Sequence, residues 1–140
     1  MRSMILAAAT ALLAGTAIAG ETPAPADAEL YFISPQDGAT VSSPVTVRFG
    51  LKGMGVAPAG TEKEKTGHHH LLIDAPTPSG AALDEPLPAD DHHKHFGGGQ
   101  TEATIELTPG EHTLQLVLGD WSHIPHNPPV MSQRITITVR

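Results

Sequence analysis

Apolar side chains recur at every second position in several short stretches of this 140-residue chain, the period of a strand with one buried face. Val45, Val47, Phe49 and Leu51 alternate with Thr46, Arg48 and Gly50. Ala103, Ile105 and Leu107 mark a second strand. His112, Leu114, Leu116 and Leu118 alternate with Thr113 and Gln115 in a third, and Ile135, Ile137 and Val139 with Thr136 and Thr138 in a fourth. Leu30 to Ile33 reads as a short strand closed by the turn Ser34-Pro35-Gln36-Asp37-Gly38. The run Gly67-His68-His69-His70-Leu71-Leu72-Ile73 is a sixth, stopped by Asp74-Ala75-Pro76. No 3.6-residue apolar period survives between the turns. The pattern therefore predicts an all-β domain over residues 29–140, an antiparallel immunoglobulin-like β-sandwich of about seven strands. The remaining strand fits near Val41 or in the long connection 75–99. With no cysteine pair and no tryptophan on the third strand, this is not an antibody-type domain.

The histidine strand carries the most unusual chemistry. Alternation puts His68, His70 and Leu72 on one face and His69, Leu71 and Ile73 on the other. Two imidazoles two residues apart on one face form a clamp for zinc or copper. The same stretch also reads as a polar strand end at the sheet rim, and it does not by itself choose between the two.

The ends and the composition narrow the choice. Arg2, the apolar run 4–14 and Ala17-Ile18-Ala19 form a signal peptide over residues 1–19, with cleavage after Ala19. No stop-transfer pattern follows, so no membrane span is expected after cleavage. Localisation is periplasmic or secreted. The new first residue would be Gly20, which excludes a copper site built on an amino-terminal histidine. Residues 20–28, rich in Pro and Ala, read as an extended linker. The formal charge of −7 becomes −8 when Arg2 is lost, which argues against nucleic acid or an anionic membrane surface as partner. The absence of cysteine rules out thiolate nucleophiles and thiolate metal sites. Nine histidines outnumber the eight Lys and Arg residues.

The topology of a sandwich predicts where these histidines meet. Its third and sixth strands pair antiparallel, so the start of the histidine strand lies beside the loop 119–129, with Asp120, His123 and His126. The fifth strand begins at that same end, preceded by His92, His93 and His95. Eight histidines are thus expected at one rim and His112 at the other. The candidate metal ligands are His68, His69, His70, His95, His123 and His126, with Asp120 as ligand or as orienting partner. Gly97, Gly98 and Gly99 after His95 allow close backbone approach. His92 and His93 read as loop residues, and His112 as a locally hydrogen-bonded strand end. Met54 and Met131 read as packing and Trp121 as a loop anchor. A copper or zinc ion suits an all-imidazole site, and an ordinary imidazole pKa of about 6.5 predicts that binding weakens as pH falls through that value.

The segments GHHHLLID, HFGGGQTEATIEL, PGEHTLQLVLGD and HIPHNPPVMSQRITITV together resemble a family of exported bacterial domains of unknown function, number 4399 in that series. The resemblance covers about residues 67–139. It implies an exported bacterial domain and no particular activity, and it places His68, His69, His70, His95, His112, His123 and His126 within the family's motifs.

The leading function is an exported metal-binding domain in copper or zinc handling, with a transition-metal ion as partner and no protein partner legible. The alternative is an interaction module that binds a protein or glycan through its loop-rich end. A metal-dependent enzyme is disfavoured, because no HExxH, Ser/His/Asp or phosphate-cradling pattern is found. Glu102 is the sole carboxylate near the expected rim that could act as a base, and it reads as solvated.

Overall fold

The computed structural model describes residues 20–140; the predicted signal peptide lies outside them. Among these described residues nine strands form in chain order: β1 (Glu29–Ser34), β2 (Thr40–Val41), β3 (Val45–Lys52), β4 (Gly55–Val56), β5 (Thr66–Ile73), β6 (His93–His95), β7 (Glu102–Ile105), β8 (Gly110–Gly119) and β9 (Ile135–Val139). A single 3-10 turn, Gly80–Asp84, interrupts the long connection. One sheet has the order β1-β3-β7. The other runs β2-β9-β8-β5-β4, with β6 also paired to β5. The third and sixth of the expected strands, β5 and β8, pair antiparallel as predicted. Both positions considered for a further strand are used, by β2 and by β6. The short strands β2 and β4 pair in parallel with β9 and β5, so antiparallel pairing is not universal.

The alternating patterns become the inner faces. Leu30, Val45, Val47 and Phe49 from one sheet meet Leu71, Ile73, Leu114, Leu116, Leu118, Ile135, Ile137 and Val139 from the other. These are the side chains whose burial drives the two sheets together. Thr46 and Arg48 stay outside, Arg48 against Glu102 at 3.1 Å on the surface. Glu102 is thus the solvated residue expected. Met54 and Met131 pack against apolar clusters, also as expected.

The outer face of the β5–β8 pair departs from the simple pattern. Gln115, which alternation turns outward, is buried: its Oε1 accepts from Thr77 and its Nε2 donates to the Ser132 carbonyl. Leu72, Ala75, Leu87 and Val117 form a second apolar cluster there. The long connection after β5 and the segment after β8 fold back over this face. The centre of the sheet is therefore covered on both sides, which alternation within a strand cannot reveal. The 20–28 segment, read as a linker, lies along the domain: Ala24 donates to the Asn127 carbonyl, and Asn127 to the Thr22 carbonyl.

Candidate metal centre

The site is built on the outer face of β5. His68 is opposite Gly119 of β8, and His70 lies between Val117 of β8 and His95 of β6. Flanked on both sides and roofed by loops, His68 and His70 are 0% and 2% exposed. β6 runs antiparallel to β5, so of the run His92 to His95 only His95 is carried up to the level of His70. His123 comes from the loop after β8. Its backbone sits in the left-handed region at φ 69, which histidine adopts more readily than most residues. Hydrogen bonds hold it there, from its N–H to the Asp120 carbonyl and from Leu87 N–H to its own carbonyl.

Four imidazoles meet. His68 Nε2 lies 3.0 Å from His70 Nε2, 3.1 Å from His123 Nδ1 and 3.2 Å from His95 Nε2. One ring nitrogen from each of the four falls within 4.8 Å of all the others, so the group could hold a metal ion. His95 is exposed and His123 half-buried, so the cluster opens to solvent on their side. Glycines leave the room. A Cβ on Gly119 would sit 2.7 Å from His70 Nε2, and one on Gly97 would collide with the ring of His95.

Hydrogen bonding does not account for this arrangement. A neutral imidazole nitrogen carries either one proton or one in-plane lone pair, so His68 Nε2 cannot serve three neighbouring nitrogens. The far sides of the rings are no better matched: Nδ1 of His68 and Nδ1 of His70 are buried without a partner. In a tetrahedral site with metal–nitrogen bonds of about 2.0–2.1 Å, neighbouring nitrogens stand about 3.4 Å apart. The three shortest approaches are within a few tenths of an ångström of that spacing.

Burial sets the protonation state. It pushes His68 down to about 4, helped by His95 and His123, and His70 down to about 3, helped by His68, His95 and His123. His95 is also lowered, by burial first and then by His123. These rings are neutral at pH 7 with lone pairs free, the form a metal requires.

The other expected ligands lie elsewhere. His69 points to the opposite face, its ring 5.0 Å from that of Phe49, because neighbours on a strand alternate. His126 is buried and donates through Nε2 to the Thr66 carbonyl, fastening its loop to the start of β5. Asp120 spends both oxygens on other groups: Oδ1 accepts from Ser122 and Ile124 N–H, and Oδ2 from the Thr22 hydroxyl. It organises the loop that carries His123. His92 and His93 bond to the Ile73 carbonyl and to Asp90, away from the cluster. The expected convergence of eight histidines thus reduces to four: β6 pairs along β5 and carries His92 and His93 towards its far end, His69 faces the interior, and His126 is bonded to the Thr66 carbonyl. His112 lies at that far end, as anticipated, bonded to Asp74 and the Thr108 carbonyl.

The family model described as Domain of unknown function (DUF4399) matches residues 47–140. The chain belongs to this family. All four clustered histidines lie inside the matched region of this DUF4399 domain, whereas Thr22, which grips Asp120, lies before it. No curated protein and no solved structure matches the chain. Trp121 is an exposed loop residue, 43% accessible. The Thr22–Asp120 contact spans 98 positions and has no local sequence signal.

Proposed function

We propose that this DUF4399 domain binds one copper or zinc ion through His68, His70, His95 and His123 and serves metal handling outside the cytoplasm. The observation that carries the reading is the cluster of four imidazoles, two of them buried, whose facing nitrogens cannot satisfy one another by hydrogen bonds. Two ligands on one rigid strand form the base, and two at the solvent side complete the set. Soft thiolates are absent, so nitrogen affinity favours Cu²⁺, while an all-imidazole ligand set also suits Zn²⁺. The signal-peptide pattern in residues 1–19 supports an exported, periplasmic or secreted setting.

A thermal melt of untagged protein, with and without Cu²⁺ or Zn²⁺, tests the reading. Metal at a hundredfold excess over its dissociation constant should add about 2.7 kcal/mol of stability. His70→Ala and His123→Ala should both lose this shift. The absence of any shift in the parent would remove the metal reading. An interaction module would then lead, supported by exposed Trp121 on the wall of a groove of about 1110 Å³ that Glu62, Lys63 and Ser122 also line.

A further inference from the structure

We infer that the amino-terminal segment from Gly20 to Ala24 is a strap that positions His123 for the metal, with Thr22 as its positioning residue; this inference rests on the metal-binding reading above. His123 is the one member of the cluster borne on a loop outside regular strands, and its left-handed backbone must be held from outside. Asp120 holds it from one side. Its carbonyl accepts the His123 N–H, while Oδ1 gathers the N–H groups of Ser122 and Ile124. That leaves Oδ2, which the Thr22 hydroxyl fills at 2.7 Å. The strap then continues along the far end of the same loop, where the Ala24 N–H donates to the Asn127 carbonyl and the Asn127 N–H to the Thr22 carbonyl. Gly20 closes the contact: it is buried at φ +57, and a Cβ there would lie 2.9 Å from the Pro125 carbonyl oxygen.

The strap therefore grips the loop on both sides of His123, at Asp120 and at Asn127. A loop held in its binding conformation loses less freedom when the ion arrives. The coupling is reciprocal: an ion that fixes His123 must also tighten the strap, by the same factor that the strap improves its binding. Metal loading and docking of this segment are two readouts of one equilibrium.

The test uses untagged protein purified as the cell processes it. Cu²⁺ binding is followed by competition with a chelator, by quenching of the single tryptophan Trp121 and by electron paramagnetic resonance. Thr22→Val should weaken Cu²⁺ binding about tenfold, the lower end of what loss of an outer-shell partner costs, and should alter the copper spectrum. Thr22→Ser should restore both. Metal-free melting checks that Thr22→Val folds. In the parent, Cu²⁺ should slow cleavage after Glu21 by a Glu-specific protease at least fivefold, a measurement that stands even if Thr22→Val does not fold. A folded Thr22→Val with parental affinity and spectrum would overturn the strap while leaving the metal reading intact. So would a parental strap cut equally fast with and without copper. A parent that binds neither Cu²⁺ nor Zn²⁺ would instead overturn the metal reading, and the strap's role with it.

Discussion

Three consecutive histidines of one strand live in two different worlds. His68 and His70 face the loops and other imidazoles, whereas His69 faces the sandwich interior beside Phe49, itself 5.0 Å from Phe96. Both nitrogens of His69 are buried without a partner, and burial drives its pKa down to about 4. An imidazole held this way costs stability, because its polar atoms leave water and gain nothing in return. His69→Leu should therefore raise the melting temperature of the metal-free protein by several degrees, corresponding to about 1 kcal/mol or more of relieved desolvation. The substitution should leave the metal-dependent shift untouched. Differential scanning calorimetry checks both parts. A large loss of metal binding in His69→Leu would mean that the ring reaches the cluster, against the alternation of β5.

The two ends of β5 do different work. At the cluster end, Gly67 brings the strand close to the end of β8: a Cβ there would lie 2.7 Å from the Gly119 carbonyl oxygen. At the far end, Asp74 and His112 lock β5 to β8. Asp74 Oδ1 accepts the Thr113 N–H and Oδ2 accepts the His112 Nδ1–H at 2.7 Å, while His112 Nε2–H donates to the Thr108 carbonyl. With an acceptor at each nitrogen, the charged ring is favoured, and the Asp74 bond and Thr108 bond raise the His112 pKa. Stability from a raised histidine is fully present below its unfolded pKa of about 6.5 and is lost as pH rises through the folded value. The Asp74 pKa is lowered, so its own contribution is lost only in strong acid. His112→Gln should thus lower the melting temperature at pH 5.5, and the gap to the parent should narrow by pH 9. Copper or zinc binding should be unchanged at either pH. A gap that widens with pH would show that His112 is held neutral. These pairings also mark what could be read from residues alone. Alternation in 45–51, 103–107, 114–118 and 135–139 was enough for the sandwich, and the pairing of third and sixth strands brought His68 near the loop of His123. Loop context set His92 and His93 apart from the candidate ligands, although the same topology placed them at the shared rim. Alternation could not show that β6 would form and pair with β5, since three residues in a proline-rich connection carry no period. The same limit hid the roof over His70 and the contact between Thr22 and Asp120, which depend on loops folding back over great sequence distance.

For the molecule as a whole, a strand that buries three adjacent imidazoles implies a characteristic response to acid. Above about pH 6.5, His68, His69 and His70 are neutral in the folded and unfolded chain alike, and they contribute no pH dependence. Below that pH the unfolded chain takes up protons, whereas His68, His69 and His70 refuse them until pH falls to about 4, 4 and 3 respectively. A lowered histidine therefore costs stability progressively through this window, the opposite sign to His112. The His112 contribution is already complete at the top of this window and does not offset the cost, so the metal-free protein should lose melting temperature steadily from pH 6.5 to pH 4. Replacing His68 and His70 together by Leu should flatten much of that fall. The same burial changes what acid does to binding. Ordinary imidazoles would surrender a metal as pH dropped through about 6.5, but His68 and His70 have no proton to exchange for it until far lower. Protons should accordingly compete with the metal at His68 and His70 only as pH approaches 4, so a site that keeps these two ligands but loses His95 and His123 to Ala should hold any residual metal-dependent rise in melting temperature down to pH 5.5. Melts at half-unit steps with and without Zn²⁺ measure both curves at once. A metal-free melting temperature that stays level between pH 6.5 and pH 4 in the parent would show that the base of the site is wet and that His68 and His70 titrate normally, and the desolvated pocket on which the proposed centre rests would have to be given up.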